Sequence, residues 1–186
     1  MTLPAWHTMD AVIRATCKDG EDSCGFALVC GSTGCGKSTQ VPQFILDHMD
    51  ETQRGAACRI ICTQPRRISA ISLASRVASE RCEQVGETVG YQIHLNSALS
   101  RDTRLLFCTT GVLLRKLTSD PTLRDVSHLI IDEVHERDLD SDFLLAFIHH
   151  CRATLTKTKI ILMSATVQLS KFAQYFQVPP VNVIDL

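Results

Sequence analysis

The chain has 186 residues and a formal net charge of -1, with 45% hydrophobic and 21% charged residues. This composition is typical of a globular domain and excludes a disordered tail, and the near-zero charge leaves nucleic-acid binding to a local surface. The first ten residues, MTLPAWHTMD, lack the pattern of a secretory signal, and no apolar run approaches the roughly 20 residues that span a bilayer.

Short apolar runs alternate with helical patterns along the chain, which predicts an α/β domain with a mainly parallel sheet and helices on both faces. We predict strands at Phe26–Cys30, Arg59–Thr63, Leu105–Cys108, His128–Ile131, Lys159–Met163 and Val181–Ile184. We predict helices from Lys37 onward, at Ile68–Arg81, around Leu113, Leu114 and Leu117, at Phe143–His150, and through Leu169, Phe172 and Phe176. One such domain accounts for the whole chain, with no internal repeat or linker.

Polar sequences follow five of the predicted strands. They read GSTGCGKST after Cys30, TQPRR after Cys62, CTTG after Phe107, DEVHER after Ile131 and SAT after Met163. Because the carboxyl ends of parallel strands meet at one edge of a sheet, where ligands collect, we expect these five segments to lie together.

The segment after the first strand fits the phosphate-loop pattern G-x-x-x-x-G-K-[ST]. Glycines let backbone N–H groups curl around a polyphosphate, and the helix that follows turns its positive end toward the anion. Lys37 would reach the β- and γ-phosphates, and Ser38 would hold Mg²⁺. The alternative is a glycine-rich turn with a surface lysine. The predicted nucleotide-binding residues are Gly31, Ser32, Thr33, Gly34, Cys35, Gly36, Lys37, Ser38 and Thr39.

The predicted strand at 128–131 ends in two acids, Asp132 and Glu133. A buried strand tolerates adjacent carboxylates only where a cation or water network receives them. We expect Ser38, Asp132 and Glu133 to form the Mg²⁺ site, with Glu133 also polarising the water that attacks the γ-phosphate. The alternative is an acidic cap at a helix N-terminus.

Nine cysteines are scattered along the chain. Cys30, Cys58, Cys62 and Cys108 lie in apolar runs, which predicts buried small side chains. The pair Cys58 and Cys62 has no second close pair after it, which disfavours zinc. The pattern indicates a reduced intracellular protein, cytoplasmic or nuclear.

The motifs GSTGCGKSTQ, CTQPRRISA, FCTTGVLLR, DEVHER and MSAT resemble, in this order, motifs I, Ia, Ib, II and III of the DEAH/RNA helicase A group of superfamily 2 helicases. The resemblance implies a RecA-like P-loop NTPase fold and one ATP-binding domain over residues 1–186, excised from a longer chain. It also implies a second RecA-like domain, with the arginines that reach the γ-phosphate, outside this sequence. We therefore expect the isolated domain to hydrolyse nucleotide slowly or not at all.

The resemblance assigns further roles. His135, Ser164 and Thr166 would couple the nucleotide state to domain movement, and Arg76 would stack on the adenine ring. The alternative for His135 is a structural role. The alternative for Ser164 and Thr166 is a cap on the following helix. The residues implied to contact the RNA backbone are Arg66, Arg67, Thr109, Thr110 and Gly111. The alternative for Arg66 and Arg67 is that they begin a helix on a solvated face. The alternative for Thr109 and Thr110 is an ordinary helix N-cap. His94 stands where relatives commonly carry an arginine, which puts one backbone contact in doubt.

We consider three alternative functions for a chain with these motifs. The first is an ATP-dependent RNA helicase motor that uses ATP, or other NTPs, with Mg²⁺ on single-stranded RNA, with protein activators as further partners and no membrane. The second is an NTP-gated RNA clamp or scaffold without unwinding. The third, a P-loop kinase or GTPase, is disfavoured because no NKxD element or kinase lid is present.

Overall fold

The computed structural model describes residues 4–17, 25–165 and 169–186. Its central sheet has eight strands in the order β4-β3-β5-β2-β6-β7-β1-β8, and every neighbouring pair is parallel except β3 and β4. The strands are β1 (Phe26–Cys30), β2 (Ile60–Gln64), β3 (Val89–Ile93), β4 (Asn96–Ala98), β5 (Leu105–Thr109), β6 (His128–Ile131), β7 (Lys159–Ser164) and β8 (Val183–Asp185).

Six helices cover the sheet in the described part of the chain. They are α1 (Met9–Cys17), α2 (Lys37–Glu51), α3 (Arg67–Glu80), α4 (Thr110–Ser119), α5 (Leu139–Cys151) and α6 (Leu169–Phe176). Two apolar clusters show how the six helices are distributed over the two faces of the sheet. One joins α1, α2 and α3 to Ala27 and Val29 of β1, and the other joins α4, α5 and α6 to Phe26 and Leu28 of the same strand. Alternate residues of a strand face opposite sides, so both faces of the sheet are covered. The predicted α/β class is confirmed.

The structure departs from the sequence prediction in three places. The strands β3 and β4 form an antiparallel hairpin, so the expectation that a helix follows each strand is wrong there. Helix α1 also had no predicted counterpart. Strand β8 begins at Val183 rather than Val181, because Pro180–Asn182 forms a 3-10 turn. The other predicted elements are present. β1 and β6 have the predicted bounds, and the ends of the others differ from the prediction by up to four residues.

The sheet order brings the polar segments together. Strands β5, β2, β6, β7 and β1 are consecutive neighbours, and all five run parallel. The N–H of Gly31 donates to the carbonyl of Ser164 at 3.1 Å, and the N–H of Asp132 donates to the carbonyl of Thr63 at 3.3 Å. The predicted meeting of the strand ends at one edge is therefore confirmed. Among the described residues, no helix is long and apolar enough to cross a membrane.

Candidate nucleotide-binding site

The loop from Gly31 to Gly36 joins β1 to the N-terminus of α2. Gly34 has φ +85° and Gly36, the N-cap of α2, has φ +97°. A side chain at either position would strain the backbone, so both turns require glycine. The loop therefore curls directly into the positive end of a helix of 15 residues, an arrangement that favours an anion.

Lys37 and the acid pair lie against each other at the start of α2. The Lys37 side chain is almost fully buried, and its Nζ lies 3.6 Å from Oε1 of Glu133. Ser38 follows Lys37 in the first turn of α2, close enough to the Asp132 carboxylate to lower its pKa. A buried ammonium with one carboxylate partner is suited to exchanging that partner for phosphate oxygens.

Asp132 is 1% exposed. Gln64 donates from Nε2 to its Oδ2 at 2.7 Å, and the N–H of Glu133 donates to its Oδ1 at 2.8 Å. Burial raises the pKa of Asp132 above its usual range, although Ser38 and the hydrogen bond from Gln64 act in the opposite direction. An incompletely compensated buried carboxylate is a natural ligand for a divalent cation.

Glu133 sits in a left-handed backbone conformation, with φ 55° and ψ 34°. Arg137 adopts a similar conformation, with φ 52° and ψ 36°, so both ends of the 3-10 turn Val134–Glu136 are strained. Such conformations at non-glycine residues cost on the order of 1–3 kcal/mol and cluster at functional sites. In this strained conformation the Glu133 carboxylate lies beside the Lys37 ammonium.

His135 connects the acid pair to the end of β7. The N–H of Ala165 donates to its Nδ1 at 3.2 Å, and Nδ1 also lies 3.3 Å from Oε2 of Glu133. A nitrogen that accepts from Ala165 carries no proton, so the ring proton of a neutral imidazole lies on Nε2. The neighbouring Ser164 is buried in β7. Thr166, predicted to act with it, lies outside the described residues.

The residues predicted to contact RNA lie at the same edge of the sheet. Arg66 is the exposed N-cap of α3, with Nη2 3.3 Å from Glu136, and Arg67 begins the helix. Thr109 is the N-cap of α4 but makes no capping hydrogen bond through its side chain, and Thr110 is buried. Gly111 follows in the first turn of α4. This placement fits both the RNA contacts and the helix-start alternatives.

Arg76 lies on α3, its side chain 68% exposed, and its Nε is 2.6 Å from Oε1 of Glu80. Sequence reasoning missed this partner, although the spacing of four residues on a helix could have revealed it. It also missed Gln64, which the TQPRR segment places at the carboxyl end of β2.

A groove of about 480 Å³ lies between α5 and α6, with His135 and Arg137 at its border. It includes neither Lys37 nor Asp132 among its lining residues. The groove is therefore distinct from the pocket formed by Lys37 and Asp132.

Residues 9–174 match the DEAD/DEAH box helicase family model. The chain is 51% identical over 175 residues to DExH-box ATP-dependent RNA helicase DExH3 of Arabidopsis thaliana, covering 94% of the chain and 14% of that protein. It is 50% identical over 183 residues to the putative ATP-dependent RNA helicase DHX57 of Homo sapiens, covering 98% of the chain and 13% of the relative.

Against the human ATP-dependent DNA/RNA helicase DHX36, identity is 53% over 152 residues, covering 80% of the chain and 15% of the relative. The chain thus spans only about a seventh of the length of these relatives. The predicted resemblance to DExH helicases is confirmed, and the chain belongs to the DEAD/DEAH box helicase family.

Proposed function

We propose that this chain is the first RecA-like domain of an ATP-dependent RNA helicase, and that it binds and hydrolyses ATP with Mg²⁺ to drive movement along RNA. The observation that carries the proposal is the contact of the buried Lys37 ammonium with Glu133, 3.6 Å away, beside Ser38 and the buried Asp132 carboxylate. A glycine loop, a lysine, a hydroxyl and two acids in one place are the parts that phosphoryl transfer from a nucleotide requires.

The side chains present fit a magnesium-bound triphosphate. Lys37 and the loop N–H groups would bind phosphate oxygens, while Ser38 and Asp132 would hold Mg²⁺, which offsets charge that develops on the phosphate. Glu133 would orient water for attack on the γ-phosphorus and accept its proton as the bond to the β-phosphate oxygen breaks. Arg76 would lie on the base, since guanidinium groups stack on aromatic rings.

The RNA track and a second RecA-like domain complete the proposal. Arg66, Arg67, Thr109 and Gly111 would contact the RNA backbone, and the buried Thr110 would take part through its main chain. His135 and Ser164 would report the nucleotide state to the second domain, because His135 already touches both Glu133 and Ala165. The relatives named as RNA helicases support this assignment.

The test is Glu133→Gln in the full-length protein. We expect RNA-stimulated ATP hydrolysis to fall by at least about 100-fold, because the glutamine cannot accept a proton, while nucleotide binding is retained. Glu51→Gln, at the exposed end of α2, is the matched control and should hydrolyse ATP at the wild-type rate. Normal turnover by the Glu133 variant would contradict the proposed chemistry.

A clamp that binds RNA without unwinding it is the second candidate, favoured by His94. This residue is exposed in the turn between β3 and β4, and an imidazole lacks the planar fork of N–H donors with which an arginine makes a bidentate phosphate contact. A strand-separation assay on the full-length protein distinguishes the two candidates. ATP-dependent RNA binding without strand separation would select the clamp.

A further inference from the structure

Four polar side chains form a cluster between α2 and α3, next to the phosphate loop. Gln40 and Gln43 of α2 are 6% and 8% exposed, and both donate from Nε2 to Oε2 of Glu80, at 3.0 and 2.8 Å. The other carboxylate oxygen, Oε1, accepts from Nε of Arg76 at 2.6 Å. Two buried amides therefore fix one carboxylate, which in turn holds an exposed guanidinium.

An Arg–Glu pair four residues apart on a helix surface is ordinarily weak, because both side chains are mobile and screened by water. Here the carboxylate is not mobile. Burial raises the pKa of Glu80, but hydrogen bonds from Gln43, Arg76 and Gln40 outweigh it and the net shift is downward, so the group is ionised at neutral pH. A hydrogen bond at Nε also fixes the orientation of the guanidinium plane. The guanidinium of a freely rotating arginine has no such restraint.

The cluster continues into the phosphate loop. Gln40 Nε2 also donates to the Thr39 hydroxyl at 3.4 Å, and that hydroxyl donates to the carbonyl of Gly36 at 3.2 Å. Hydrogen bonds thus run without a break from the N-cap of α2 to Arg76. One hydrogen-bond network therefore joins the loop at the start of α2 to the guanidinium of Arg76.

We infer that Glu80 is a positioning residue, which orients the Arg76 guanidinium for stacking on the nucleotide base and ties that orientation to the phosphate loop. The inference rests on the proposed function, since it requires a nucleotide held at Lys37. It differs from a purely structural role, in which Glu80 would only join α2 to α3.

The experiment compares two ligands on the full-length protein: Mg²⁺·ATP and Mg²⁺·ribose 5-triphosphate, which lacks only the base. The readout is the dissociation constant for Mg²⁺·ribose 5-triphosphate divided by the dissociation constant for Mg²⁺·ATP, both measured by calorimetry or competition. A larger ratio means a larger contribution of the base to binding. Arg76→Ala and Glu80→Ala should each lower this ratio about threefold to tenfold, as expected for loss of one stacking contact. The double variant should lower it no further, because both changes remove the same contact.

Asp47→Ala is the matched control. Asp47 of α2 accepts from Arg81, which follows α3, at 2.7 Å, so this variant also breaks a link between the two helices but leaves Arg76 and Glu80 in place. We expect it to keep the wild-type ratio. Glu80→Gln guards against misfolding, because it keeps the side-chain size. The NH2 group of the new glutamine is a donor, so it would face the N–H donors of Arg76 or of Gln40 and Gln43 without accepting from them. The ratio should therefore fall in this variant as it does in Glu80→Ala.

Three results would overturn the inference: an unchanged ratio in both Glu80 variants while Arg76→Ala lowers it, an unchanged ratio in Arg76→Ala, or an equal fall in Asp47→Ala. Failure of the proposed function is recognised separately, because the wild-type protein would then bind neither ligand in a manner that depends on Lys37.

Discussion

At the scale of single residues, Asp132 shows what the site costs the fold. Its carboxylate is buried, and burial raises its pKa above the value it has in the unfolded chain. A raised pKa in the folded state means that stability is fully present below the unfolded value, about 4, and is lost as the pH rises through the folded value. The ionised Asp132 therefore opposes folding at neutral pH in the absence of a cation.

This predicts a pH-dependent gain for Asp132→Asn. Relative to wild type, the free energy of unfolding of the variant should rise between about pH 4 and pH 7, because the amide never ionises. Urea denaturation of the 186-residue chain with a metal chelator measures it, and the exposed Asp102→Asn is the control. A difference that stays constant or falls over this pH range would contradict the account of Asp132.

At the scale of elements, the turn that carries the acids ends at a well-defined helix start. Asp138 is the N-cap of α5, and its Oδ1 accepts from the N–H of Ser141 at 3.1 Å. Arg137 just before it donates to both carboxylate oxygens of Asp142, at 2.6 and 2.9 Å. The strained backbone at Glu133 and Arg137 is thus held at its C-terminal side by a capped helix.

Asp138→Ala should lower the free energy of unfolding of the 186-residue chain by about 0.5–2 kcal/mol, the usual cost of losing an N-cap side chain. Asp140→Ala, in the first turn of the same helix, is the control, because it removes an acid but no cap. Chemical denaturation gives both values. Equal losses in the two variants would show that charge near the helix N-terminus, and not the cap, is responsible.

The elements also show where sequence patterns are informative. Buried parallel strands such as β1 and β6 are continuous apolar runs, and their positions were predicted residue for residue. Strands β3 and β4 were missed because they lie at the edge of the sheet and mix polar with apolar residues, so only Val89 and Gly90 are buried. Strand β3 pairs with β5 as well as with β4, and the local sequence does not encode its pairing with the distant β5.

At the scale of the whole molecule, the sheet order makes one edge out of segments that are distant in sequence. The phosphate loop and the acid pair were predictable from their spacing and from the strands before them. The Glu80 cluster was not, because it depends on how α2 packs beside α3, and a glutamine in a helix carries no signal of its partner. The left-handed backbone at Glu133 was equally hidden, since glutamate is not among the residues that favour that conformation.

The central claim is that the buried Lys37 ammonium and the glycine loop bind a magnesium-bound triphosphate. The most direct test is a calorimetric titration of the full-length protein with Mg²⁺·ATP, comparing wild type, Lys37→Ala and the exposed-lysine control Lys157→Ala. We predict saturable binding in wild type and in the Lys157 variant, and an affinity at least about 100-fold weaker in Lys37→Ala, because charge-assisted contacts to phosphate are lost. Wild-type affinity in the Lys37 variant would contradict the account.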